Sequence, residues 1–136
     1  MRWVLCALLL SLLLPAAPVR AAAISQADAT AKLEALAPAH LEKVARTLRP
    51  NAANKSVHKD NTGFTAFYME VDRRAPEVEV QPGQQPGEYI GQVRYVVHEY
   101  RSRGKTEQEA LNGPFHKAKS RRMREYTHFA QGKWAL

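Results

Sequence analysis

The chain has 136 residues, 20 Lys and Arg against 13 Asp and Glu, a formal net charge of +7, 45% hydrophobic residues and one cysteine. That length limits the protein to one domain once a leader is set aside, and a lone cysteine excludes both a disulfide framework and a cysteine-built zinc site. The basic surplus is smaller than that of a dedicated nucleic-acid protein.

The first residues, MRWVLCALLLSLLLPAAPVRAAA, give a positive start at Arg2, an apolar run from Trp3 to Leu14, a break at Pro15 and Pro18, then small residues. This is the three-part pattern of a secretory signal peptide. The apolar run is shorter than the roughly twenty residues a spanning helix needs, so no membrane span is expected after cleavage. Ala21-Ala22-Ala23 supplies the small residues of a cleavage site, which makes 1–23 a signal peptide and 24–136 a single domain. Cys6 lies inside the apolar run and would leave with it. Loss of Arg2 and Arg20 lowers the net charge from +7 to about +5. The alanine-rich cleavage region favours a bacterial periplasmic or secreted location, and export argues against nucleic acid as partner.

Residues 25–48 are rich in Ala, Leu, Glu and Lys without glycine, and Ala29, Leu33, Leu36, Leu41, Val44 and Leu48 recur at nearly helical spacing. An amphipathic helix is expected there, capped by Ser25 with Asp28 and kinked or divided by Pro38, which lacks the donor and crowds the preceding turn. Lys43, Arg46 and Arg49 suit its C-terminal end.

Asn61-Thr62-Gly63 signals a turn before FTAFYMEVD, 64–72, whose aromatic and β-branched content predicts a strand. The preceding SVHKD reads as a hairpin arm. Residues 73–87, with Pro76, Pro82, Pro86, Gly83 and Gly87, read mostly as a loop containing a short exposed strand at 77–80. Residues 88–103 form the clearest strand, with Tyr89, Gly91, Val93, Tyr95 and Val97 alternating with Ile90, Gln92, Arg94, Val96 and His98. Thr106 and Glu109 make a capping box for a helical turn that Asn112-Gly113-Pro114 closes.

Residues 114–129 admit two readings. A helix would begin at Pro114 and show a thin stripe of Phe115, Ala118, Tyr126, Phe129 and Ala130. A strand is favoured, because YTHFAQGKWAL reads as strand, turn and short strand 133–136, and because the preceding long strand needs an antiparallel partner. Strand alternation places Lys117, Lys119 and Arg121 on one face and Arg122 and Arg124 on the other. A bulge at the Arg121-Arg122 pair would then be needed to bring all five together.

Charge is uneven along the chain. Residues 60–93 carry six acidic side chains against two basic; residues 94–136 carry ten basic against four acidic. None of the five histidines has metal-ligand spacing, and no nucleophile, phosphate-binding or dinucleotide motif is present. No cofactor is therefore expected. His58 and Asp60 share a strand face and would suit a base and its orienter. Lysine and arginine on a wet sheet face have an ordinary role, covering apolar surface with their stems and discouraging edge pairing. Against that stands the clustering of Arg94, Arg101, Arg103, Lys117, Lys119, Arg121, Arg122 and Arg124 on two strands expected to be neighbours. Like charges facing each other across strands are unfavourable without an intervening anion. Lipopolysaccharide, a cell-wall polymer or an acidic protein would supply one.

A helix followed by a curled antiparallel sheet, ending in an aromatic strand, a glycine turn and Lys133-Trp134, resembles the cystatin-like group of folds, to which many small exported bacterial proteins are similar. The resemblance implies an α+β fold, one long N-terminal helix packed on a curled antiparallel sheet of about four strands. Gln92-Val93-Arg94 lacks the group's Gln-x-Val-x-Gly loop and Lys133-Trp134 replaces Pro-Trp, so protease inhibition does not carry over. The expected function is non-enzymatic binding in the cell envelope, through a pocket between helix and sheet or through the basic strands. The alternative is a small enzyme with an inward-facing His/carboxylate site, which would place His58, His98 or Tyr95 in a closed cavity with a buried acid.

Overall fold

The computed structural model describes residues 23–136; the segment read from the sequence as a signal peptide lies outside the described residues except for Ala23. Helix α1, Gln26–Thr47, is followed by strands β1, Ser56–Asp60, β2, Gly63–Pro82, and β3, Tyr89–Gly104. Then come a short helix α2, Glu107–Asn112, and strands β4, His116–Ala130, and β5, Lys133–Trp134. The strands form one antiparallel sheet in sequence order. The fold is α+β, one long helix on a curled sheet, with five strands where about four were expected.

Ser25 caps α1 by accepting from the Asp28 N–H at 3.1 Å. Ala29, Leu33, Ala37 and Leu41 recur every fourth position and are buried against the sheet. Of the two outcomes expected at Pro38, a kink or a division, division does not occur: α1 runs through Pro38 as one element. Pro38 and Glu34 are both exposed, so the carbonyl that loses its donor faces solvent.

β3 carries the core. Gly91, Val93, Tyr95, Val97 and Glu99 alternate inward beneath α1, joined by Val71 and Val80 from β2 and Phe129 from β4. Trp134 closes the far side, its indole donating to the Ala29 carbonyl at 2.9 Å and its ring packing on Phe129 at 5.1 Å between centroids. Gly91 makes this closure geometrically possible, because a Cβ there would lie 2.5 Å from Leu33 Cδ2 and 2.7 Å from the Trp134 ring. Among the described residues, the opposite face of the sheet is covered only at its other end. There α2 presses Ala110 against the β2 and β3 ends, near buried Ala66 and Ser102. Tyr68 stacks on Tyr100 at 5.1 Å and meets Phe115 at 5.2 Å. The capping box of α2, Thr106 with Glu109, is present as the sequence predicts.

Of residues 73–87, the strand expected at 77–80 and a turn at 83–87 are present, but strand also takes in 73–76 and 81–82, which were expected to be loop. β2 continues to Pro82 through an irregularity at 73–76, where four residues oppose Tyr95 alone. Pro76 sits inside this bulge, where a missing ladder donor is tolerated.

Candidate functional site

β4 is strand and not helix, and its burial divides it in two. Thr127 and Phe129 are buried under α1, Glu125 is half-buried, and every residue from 116 to 124 is exposed on both faces. β3 pairs with one edge of this segment; on the other edge, β5 pairs only with Phe129 and Ala130. The basic run KAKSRR thus lies on a sheet-edge strand that neither helix covers.

Cross-strand register fixes which way each cation points. Arg124 lies opposite Arg94, Arg122 opposite Val96 and Lys117 opposite Tyr100, all on the face away from α1. Lys119 lies opposite Glu99 and Arg121 opposite Val97, on the face that α1 covers further along. The division expected from alternation is corrected at Lys117. The bulge lies at Ala118, between the Glu99–Lys119 and Tyr100–Lys117 pairs, and not at Arg121-Arg122. One extra residue reverses the phase and carries Lys117 to the face of Arg122 and Arg124, where its ammonium stands 6.0 Å over the Tyr100 ring. The five cations do not share a face.

The eight residues singled out in the sequence are likewise not one patch. Arg94 belongs to the acidic side of its strand, with Nε 3.2 Å from Glu77 and Nη1 3.6 Å from Glu79. Arg101 donates to the nearly buried Glu99 at 2.5 Å, on the opposite face from Arg94. Arg103 pairs with Thr65 beyond the end of β4. Its charge acts with the Thr62 hydrogen bonds, which are the larger influence, to hold the Asp60 carboxyl below its ordinary value. Lys117, Lys119, Arg121, Arg122 and Arg124 make no ion pair among the described residues.

The face away from α1 is therefore polarised across its width. β2 contributes Glu70, Asp72, Glu77 and Glu79, β3 contributes Arg94 and His98, and β4 contributes Lys117, Arg122 and Arg124. Three of the four β2 acids are already engaged, and the fourth, Glu70, is exposed opposite His98. Asp72 chelates Arg74 at 3.0 and 2.9 Å, and those bonds drive its carboxyl far below the ordinary range. Arg94 takes both glutamates. The cations left over are those of β4.

Two constellations invisible in the sequence surround this strand. At its base, Glu125 receives His40 of α1 at 2.5 Å on one oxygen and the Tyr95 hydroxyl on the other. Burial alone would raise the Glu125 carboxyl; the bonds from Tyr95 and His40 outweigh it and hold the group below its ordinary value. Burial, reinforced by Glu125, pushes the Tyr95 phenol up. Further out, His98 Nδ1 lies 2.8 Å from Ser120 Oγ, and Nε2 lies 3.4 Å from Asp72. These contacts join residues 22 to 85 positions apart, and only the strand register could have foretold them.

The base and orienter that His58 and Asp60 would suit as neighbours on one strand face are not formed. Asp60 accepts from the Thr62 amide and hydroxyl at 2.7 and 2.6 Å and His58 is exposed. Between α1 and the sheet, Leu33, Leu41, Val93 and Phe129 are fully buried. Among the described residues no group of three or more His, Cys, Asp and Glu is placed to hold a metal ion, and no helix is long and apolar enough to cross a membrane. No protein-family model, curated protein or solved structure matches the chain.

Proposed function

We propose that the protein is an exported binding module of the cell envelope that holds an anionic partner on β4. The observation that carries this reading is the state of the five β4 cations: exposed, without a carboxylate partner among the described residues, and on a segment that contributes nothing to the core. The neighbouring Arg94 and Arg101 are paired to acids of the same chain. Evolving a strand that buries neither face, and concentrating unneutralised charge on it, stores an electrostatic interaction for a second molecule. Retention on a polyanionic column across a salt series tests the reading. Binding should persist at low ionic strength and fall steeply as the Debye length shortens. Elution at the lowest salt would overturn it.

A second reading, a small hydrolytic enzyme, is favoured by one observation, the Asp72–His98–Ser120 line across three strands. His98 would act as base toward the Ser120 hydroxyl. One feature weighs against it: Arg74 already occupies the Asp72 carboxylate. Covalent labelling of Ser120 by a fluorophosphonate, lost in Ser120→Ala, would support the enzyme; no labelling would remove it.

A further inference from the structure

A polyanion can be held by charge alone, but β4 offers more than charge. From 116 to 126 its outer edge has no strand partner among the described residues, since β5 reaches only Phe129 and Ala130 and Ala135 closes the ladder at the His128 carbonyl. An antiparallel edge strand presents alternate N–H and C=O groups outward, a template for one more strand. Such edges are used for peptide recognition, with main-chain hydrogen bonds giving affinity and side chains on alternate faces giving selectivity.

We propose that β4 binds an extended acidic segment of a partner protein by strand addition along positions 119–126. The inference rests on the anionic-partner reading above and specifies the partner. A strand laid beside β4 places successive side chains on alternate faces. Those opposite Lys119 and Arg121 fall on the α1 face, and those opposite Arg122 and Arg124 fall on the other. An alternating acidic–apolar strand would satisfy only one of these pairs, whereas consecutive Asp or Glu residues satisfy both. The division of cations between two faces, unhelpful for a flat polyanion, suits a run of carboxylates on a β-strand.

The same charges choose against a second copy of the chain. β4 against β4 would set cation opposite cation. The acidic stretch of β2 is poorly fitted to serve, because Pro76 and Pro82 flank it without donors and the Val80 carbonyl already accepts from Gln26 at 2.8 Å. The Ala118 bulge ends the regular edge, which sets 119 as the limit of docking.

The test uses the intact protein and three probes: an oligoglutamate peptide spanning 119–126 in length, the same peptide methylated at every backbone nitrogen, and heparin. Methylation keeps the carboxylates and removes the donors. Strand addition predicts that the unmodified peptide binds, that amides within 119–126 gain hydrogen-exchange protection, and that methylation weakens binding by on the order of tenfold or more. Equal binding of both peptides would overturn strand addition and leave the anionic-partner reading standing. Binding of heparin without either peptide would overturn the acidic-segment partner. Failure of all three would overturn both readings together. A protein that sediments as a dimer, with 119–126 protected before any peptide is added, would show a second copy in the place assigned to the partner.

Discussion

His40 of α1 and Glu125 of β4 meet at 2.5 Å across 85 positions of the chain, at the point where β4 leaves the shelter of the helix. Tyr95 donates to the other oxygen of the same carboxylate. On one side of this junction β4 is core, with Thr127 and Phe129 buried; on the other it is exposed on both faces. The Glu125 carboxylate therefore joins helix, central strand and edge strand at the base of the basic segment. It holds the strand in place where apolar burial no longer does.

Removal of the Tyr95 hydroxyl tests that role. Tyr95→Phe keeps the ring in the core and deletes one charge-assisted bond, so denaturant unfolding should show a loss of about 1–3 kcal/mol. His40→Ala should destabilise in the same direction. An unchanged midpoint in both variants would mean that Glu125 is held by something else.

The pH dependence follows with a definite sign. The folded Glu125 carboxyl lies below its ordinary value of 4.5, so folding favours the charged form. Its contribution is fully present above that ordinary value and is lost as the pH falls through the lower, folded value. The stability difference between the protein and Glu125→Gln should be constant near neutrality and shrink below about pH 4.5. Tyr95 is raised above its ordinary 10.0, so its contribution is present below that pH and is lost at still higher pH. A difference that widens on acidification would contradict the assignment.

Gly91 is predicted to tolerate no side chain. In Gly91→Ala the added methyl meets Leu33 and the Trp134 ring at 2.5 and 2.7 Å, and both side chains are buried. Overpacking of this kind costs about 1–3 kcal/mol. The loss should appear as a lower unfolding midpoint together with red-shifted Trp134 emission, as the indole loses its buried contact with Ala29.

The paired and unpaired arginines should separate stability from binding. Arg101→Ala strips the nearly buried Glu99 of its 2.5 Å partner and should destabilise by about 1–3 kcal/mol. Arg121→Ala and Arg122→Ala touch exposed side chains without ion pairs and should stay within about 0.5 kcal/mol of the parent. Affinity for a polyanion should show the reverse order. Arg101→Ala should leave it nearly unchanged, and each β4 variant should reduce it, as read by titration calorimetry.

How much of this was legible in the sequence depended on where burial wrote a pattern. Ala29, Leu33 and Leu41 announce α1, and the alternation from Gly91 to Val97 announces β3, because each buries one face. β4 left helix and strand both open because its first nine residues bury neither face and so carry no period. The facing of Lys117 was misread for a local reason. A bulge costs one residue, Ala118, which bears no signature in composition. β2 looked like a loop beyond residue 72 because its prolines and its four-residue irregularity interrupt a strand whose partner keeps it in register. The junction at Glu125 depends on contacts 30 and 85 positions away and had no local trace.

On the function proposed above, the free cations of β4 serve a second molecule and not the fold. The most direct measurement compares the protein with the combined variant Arg121→Gln, Arg122→Gln and Arg124→Gln, reading oligoglutamate affinity and unfolding midpoint on the same samples. Binding should be lost with the midpoint unchanged. Binding retained, or a midpoint that falls with the charges, would contradict it.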